Sequence, residues 1–156
     1  MFFVDEILRA EGQSFDGKKV VVSGSGNVAI YAIEKVHALG GSVVACSDSS
    51  GYVYDEKGID LELLKEVKES RRGRIADYVE ARRGTAHLVT SRSVWEVACD
   101  IALPCATQNE LGGDDADMLI DSGCRIVAEG ANMPCTPEAV KRFDAAGGVT
   151  FAPGKA

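Results

Sequence analysis

The chain has 156 residues, 46% of them apolar, which is one domain's length and enough to bury a single core. Seventeen basic against 24 acidic side chains leave a net charge of −7, a field that repels phosphate backbones and anionic lipid and so argues against nucleic-acid or membrane partners. Five cysteines (Cys46, Cys99, Cys105, Cys124 and Cys135), odd in number, without a C-x-x-C pair and with only His37 and His87 to join them, read as reduced, buried thiols of a cytoplasmic protein, with no metal site.

Phe3, Val4, Ile7 and Leu8 recur at helical spacing with Asp5, Glu6 and Arg9 between them, so the chain opens on an amphipathic helix stopped by Gly12. It lacks the cationic start and small-residue cleavage site of a secretory leader, and no run is long enough to cross a bilayer. Val20, Val21, Val22 and Ser23 form a short β-branched run suited to a buried parallel strand. Residues 30–39 are helical and close on Gly40-Gly41, and a second strand, 42–47, leads to Asp48, completing a βαβ unit. Residues 51–59 predict a small hairpin excursion, 61–83 a mostly helical stretch broken at Gly73, and Val94-Trp95 an irregular segment. Strand-like runs at 99–103, 125–128 and 149–152 then alternate with helical runs at 116–122 and 137–146. The alternation predicts one α/β domain over residues 1–156: a doubly wound, mostly parallel sheet of Rossmann type with helices on both faces.

Between the first strand and its helix, Gly24, Gly26 and Ala29 fit a G-x-G-x-x-[GA] spacing, with an acid about twenty residues later. Gly24 permits a tight turn, Gly26 removes the Cβ that would block a pyrophosphate, and Ala29 lets the helix lie against the strand. The helix N-terminus supplies free N–H donors and a favourable dipole for an anion. Glycine spacings arise by chance, so it is strand, helix and acid together that point to a dinucleotide.

Asp48 stands where a carboxylate can accept hydrogen bonds from adenosine ribose hydroxyls, which on its own favours NAD over NADP. Ser47, Ser49 and Ser50 surround it with hydroxyls, and Lys68 and Arg71, one helical turn apart, could close over a 2′-phosphate. The same two cations also read as part of a solvated face, since Lys65, Lys68, Arg71, Arg72 and Arg74 alternate with Glu62, Glu66 and Glu69.

Four segments, Val22-Ser23-Gly24-Ser25-Gly26-Asn27-Val28-Ala29, Ser47-Asp48-Ser49-Ser50-Gly51, Asp100-Ile101-Ala102-Leu103-Pro104-Cys105-Ala106-Thr107-Gln108-Asn109-Glu110 and Ala128-Glu129-Gly130-Ala131-Asn132-Met133-Pro134, resemble the hexameric glutamate dehydrogenases of bacteria and lower eukaryotes, above all the NADP-dependent branch. The likeness runs along the whole chain. It implies a cofactor site built from Ser23, Gly24, Ser25, Gly26, Asn27 and Val28, with the pyrophosphate on the last four. It further implies Asp48, Ser49, Lys68 and Arg71 around the adenosine and its 2′-phosphate, Ala106, Thr107, Gln108 and Asn109 along the cofactor, and Gly130, Ala131 and Asn132 beside the nicotinamide ribose. Without the resemblance the last two loops read as turn and cap chemistry alone.

The reaction implied is reversible oxidative deamination of L-glutamate to 2-oxoglutarate and ammonia with NADP, by a homohexameric parent. No residue matches the family's proton-transferring lysine and aspartate or its cations for the substrate carboxylates, so no catalytic residue is expected here, and Lys155, Asp100 and Cys105 are given no such role. The substrate domain and the family's C-terminal helices are expected outside this chain. Three alternatives stand: an NAD-dependent glutamate dehydrogenase, a leucine, phenylalanine or valine dehydrogenase of the same architecture, and a non-catalytic nucleotide-sensing module.

Overall fold

In a computed structural model, which describes residues 2–154, the runs rich in β-branched and small residues become one sheet. Its strands are β1 (Lys19–Val22), β2 (Ser42–Asp48), β3 (Gly51–Asp55), β4 (Ala86–Thr90), β5 (Ile101–Leu103), β6 (Ile126–Ala128) and β7 (Thr150–Ala152), in the spatial order β4-β3-β2-β1-β5-β6-β7. The five strands from β2 to β7 in that order run parallel, with Val20 of β1 facing Val43 on one side and Ile101 on the other. β3 and β4 extend the β2 edge in antiparallel fashion. The hairpin expected over residues 51–59 is therefore part of the main sheet. Tyr52, Val53 and Asp55 are buried, and β3 turns back on β2 through Ser49 and Ser50. β4 was not expected: of its five residues only Ala86 is buried, so an edge strand leaves little alternation to read.

Helices cover both faces, as the doubly wound reading requires. On one lie α1 (Phe2–Ala10), α2 (Asn27–Ala38), α3 (Leu61–Lys65) and α4 (Ile75–Ala81); on the other lie α5 (Gly113–Asp121), α6 (Pro137–Ala146) and the short turn Val94–Glu96. Period-two alternation splits β1 between the layers, Val20 and Val22 entering the first and Val21 the second. α1 docks through Val4 and Leu8, while Phe3 remains 56% exposed. The helical stretch expected over 61–83 is interrupted by a π-helical turn at Glu66–Ser70 and by Gly73, whose N–H closes onto Val67 O at 2.7 Å.

α4 is fastened to β3 by a polar cluster inside the first layer. The fully buried Asp55 carboxylate accepts from Tyr78 Oη (2.8 Å), Arg82 Nε (2.9 Å) and the Lys57 N–H (3.1 Å), and Tyr78 Oη accepts from the Asp60 N–H (2.8 Å). Burial alone would raise the Asp55 pKa; the bonds from Arg82, Tyr78 and Lys57 outweigh it and hold the carboxyl below its ordinary value. Asp55→Ala leaves Arg82 and Tyr78 without their acceptor and is expected to lower the unfolding free energy by about 3 kcal/mol in urea titrations at neutral pH. Because the folded-state pKa is depressed, this contribution is complete above the unfolded value of about 4 and is lost as pH falls through the lower folded value. The difference between the two proteins therefore closes in acid; a gap unchanged down to that range would show that the carboxylate charge is not what holds α4.

Candidate functional site

β1 and β5 are neighbours, but the chain leaves β1 into α2 on one face and leaves β5 into α5 on the other, so a crevice opens at their carboxyl ends. Residues 23–26 and 104–110 meet there. Gly24 has φ +86°, and a Cβ on it would come within 3.2 Å of Ala106 Cβ and 3.4 Å of Cys105 O; both the backbone and the approach call for glycine. Gly26 caps α2, and a Cβ placed on it meets nothing within 4 Å, so the space in front of it is open. No side chain caps this helix; its ladder starts with Ile30 N–H on Gly26 O at 2.9 Å, which leaves the preceding N–H groups without helical partners. Gly26, Asn27 and Val28 are exposed, Ser25 is 4% exposed, and Ala29 is buried against the strand.

Two side chains absent from the sequence-derived set hold this crevice in shape. Ser47 Oγ accepts from the Gly24 N–H at 2.9 Å, tying the glycine turn to the end of β2. Glu110, partly buried, accepts from Ser23 Oγ with one carboxylate oxygen and from the Ala106 (3.0 Å) and Thr107 (2.6 Å) N–H groups with the other. Burial pushes its pKa up, against the pull of those bonds. Ser23 Oγ in turn accepts from the Cys105 N–H at 2.9 Å, so its hydroxyl is engaged within the protein. Glu110 could have been noticed as the single acid of the loop after β5, but its Ser23 partner is 87 residues away.

At the end of β2 the Asp48 carboxylate is already occupied. Oδ1 accepts from Ser50 N–H (2.8 Å) and Ser50 Oγ (2.6 Å), and Oδ2 from Ile75 N–H (3.2 Å) at the start of α4. Burial works against ionisation, but the Ser50 and Ile75 bonds and the Lys68 charge together keep the pKa below its ordinary value. Ser49 Oγ accepts from Arg74 Nη1 at 3.2 Å, a cation that sequence reasoning left in the solvated face. Lys68 is partly buried and acts on Asp48 through its charge, whereas Arg71 is paired with Glu66.

Some of the predicted residues line two clefts on either side of the 104–110 loop. One, of about 620 Å³, takes in Asp48, Ser49, Ala106 and Thr107 together with Ser91, Arg92 and Ser93. The other, of about 820 Å³, takes in Asn109, Gly130, Ala131 and Asn132. Gln108 is exposed on the loop between them. Val28 lines a third cleft, of about 610 Å³, with Gly130 between α2 and β6, and Gly24, Ser25, Gly26, Asn27, Lys68 and Arg71 line none of the three. Pro104 O accepts from both Gly130 (2.9 Å) and Ala131 (3.0 Å) N–H, and Asn109 N–H reaches Met133 O at 3.0 Å, so the loops after β5 and β6 are bonded to one another. A Cβ on Gly130 would overlap Cys105 Sγ.

Asp100 accepts from Lys19 N–H at 2.9 Å at the opposite, amino edge of the sheet; Cys105 is buried with its pKa pushed up to about 12 by burial; Lys155 lies outside the described residues. All five cysteines are buried and unpaired. Among the described residues no helix is long and apolar enough to cross a membrane.

Residues 1–156 match the family described as Glutamate/Leucine/Phenylalanine/Valine dehydrogenase. The glutamate dehydrogenase of Bacteroides thetaiotaomicron is 53% identical over 159 residues, and the NADP-specific glutamate dehydrogenase of Haemophilus influenzae 54%, each covering 100% of this chain and 35% of the relative. The crystal structure of Plasmodium falciparum glutamate dehydrogenase superposes with a TM-score of 0.93 at 40% identity over 99% of this chain and 33% of that one. The chain thus spans about a third of the length of the curated relatives it matches.

The Gly130 contact gives a direct test of the site's packing. Gly130→Ala is expected to cost about 2 kcal/mol of stability by overpacking against Cys105 Sγ, and Cys105→Ala in the same chain to recover most of it. Additive losses in a double-mutant melting series would refute the contact.

Proposed function

This chain belongs to the glutamate/leucine/phenylalanine/valine dehydrogenase family, and from that premise we propose that residues 1–156 are its dinucleotide-binding domain, with NADP as the cofactor. The observation that carries the reading is the uncapped N-terminus of α2 standing behind the open space at Gly26, at the crevice where the strand order reverses. There Ser25, Gly26, Asn27 and Val28 would bind the pyrophosphate. Asn109, Gly130, Ala131 and Asn132 would bind the nicotinamide ribose on the far side of the 104–110 loop, and Ala106, Thr107 and Gln108 would flank the dinucleotide between.

The choice of NADP rests on the end of β2. Asp48, whose charge would oppose a 2′-phosphate, is directed onto Ser50 and the Ile75 N–H, while Ser49 and Arg74 form a hydroxyl and guanidinium pair beside it, with the Lys68 charge close by. The NADP-specific name of the Haemophilus influenzae relative favours the same choice.

The parent protein, in this reading, is a cytoplasmic homohexamer that catalyses reversible oxidative deamination of L-glutamate to 2-oxoglutarate and ammonia. The nicotinamide supplies hydride transfer. This domain's own residues bind and orient the dinucleotide, while proton transfer and recognition of the substrate carboxylates belong to a substrate domain elsewhere in the parent. The glutamate-specific names of the relatives favour glutamate over leucine, phenylalanine or valine.

Calorimetric titration of the 156-residue chain is expected to show tighter binding of NADPH than of NADH, without glutamate turnover. Arg74→Ala should weaken NADPH about tenfold, the worth of one charge-assisted hydrogen bond, and NADH by less than about twofold. Lys68→Ala should shift the same ratio in the same direction. Equal losses for the two cofactors would remove the 2′-phosphate from this corner of the site.

A further inference from the structure

A carboxylate partly buried beside an anion-binding turn is an unfavourable arrangement unless it holds something that matters more than its charge. Glu110 binds three donors from two elements: the Ser23 hydroxyl at the end of β1, and the Ala106 and Thr107 N–H groups of the loop after β5. Those two N–H groups are thereby withdrawn from the cleft, so this loop meets a bound molecule with its side chains rather than its amide donors. Ser23 Oγ completes the ring by accepting from Cys105 N–H at 2.9 Å.

The loop fixed in this way carries the next one. Past Glu110, Leu111 N–H donates to Pro134 O and Thr136 N–H to Leu111 O, both at 3.0 Å, and Leu111 bridges Cys135 in a parallel pairing. On the near side, Asn109 N–H holds Met133 O. Glu110 therefore joins the end of β1 to the loop that is in turn bonded to residues 130–136, and so links the two clefts.

Building on the cofactor reading above, we propose that Glu110 is a positioning residue that holds the loops around the nicotinamide half of the cofactor in register with the pyrophosphate turn. It lines the 620 Å³ cleft, but its carboxylate is turned onto Ser23 and the loop amides, so it acts on the cofactor through the loops it holds. Its loss should reduce the affinity for every dinucleotide alike, because the 2′-phosphate contacts of Ser49 and Arg74 belong to a different element.

The test is titration of NADPH and NADH into the whole chain and into E110A and E110Q, with melting temperatures measured without ligand. E110A is expected to weaken both cofactors about tenfold and to leave their ratio unchanged. E110Q keeps an acceptor for Ala106 and Thr107 but turns an amide N–H toward Ser23, reversing that bond and leaving the Ser23 O–H without its acceptor, so it should recover part of the affinity, with a loss of about threefold and a melting temperature between those of the parent and E110A. Affinities within twofold of the parent in E110Q and in any folded E110A would overturn the proposal, and E110Q alone decides if E110A does not fold. An altered NADPH to NADH ratio would also overturn it, by placing Glu110 at the 2′-phosphate. A parent chain that binds neither cofactor defeats the cofactor reading itself, and this proposal with it.

Discussion

Three loops meet at the carboxyl edge of the sheet because two Cβ atoms are missing. At Gly24 a methyl group would press on Ala106, and at Gly130 it would overlap Cys105 Sγ. The segment between those contacts, residues 104–106, is therefore approached from both sides by glycine backbone, which meets Ala106 and the Cys105 carbonyl on one side and the Cys105 side chain on the other. The glycine half of each contact has no rotamer to exchange. The remaining hydrogen bonds, Ser47 on Gly24, Glu110 on Ala106 and Thr107, Pro104 on Gly130 and Ala131, all presuppose that approach.

The electrostatics follow from the same geometry. A chain with a net charge of −7 that is to receive an anionic cofactor, as proposed above, must keep its own carboxylates from facing it. Each acid at this edge is turned onto backbone N–H groups: Asp48 onto Ser50 and Ile75, Glu110 onto Ala106 and Thr107, Glu129 onto Cys135 (3.3 Å) and Gly154 (3.0 Å). What is left open is the N-terminus of α2, where the partial charge is positive. The acids thus shape the loops while the helix end supplies the field.

Much of this was legible in the sequence, and the parts that were not have a common cause. The Val20–Val22 run, the glycine turn and α2 follow from contiguous patterns in which each residue type has a local reason. The parallel sheet follows from alternation of such units. β4 escaped because His87 and Leu88 face solvent on an edge, so its residues do not alternate. Glu110 and Arg74 escaped for a different reason: their partners, Ser23 and Ser49, lie 87 and 25 residues away, and Arg74 stands in a run with Arg71 and Arg72. Long-range polar pairs have no periodicity, so they become visible only once the strands are placed.

Asp48 shows how such a pair can reverse a motif. An acid after the second strand of this unit ordinarily speaks for ribose hydroxyls and against an added phosphate. Here α4 begins beside it, and α4 is held there by Asp55, Tyr78 and Arg82 on the far side of the layer. With α4 so fixed, the Ile75 N–H faces Asp48 and the Arg74 guanidinium faces Ser49. One buried carboxylate on β3 therefore bears on which charges surround another on β2, and on the cofactor reading proposed above the preference between NADP and NAD would depend on how α4 is anchored as much as on the residue at position 48.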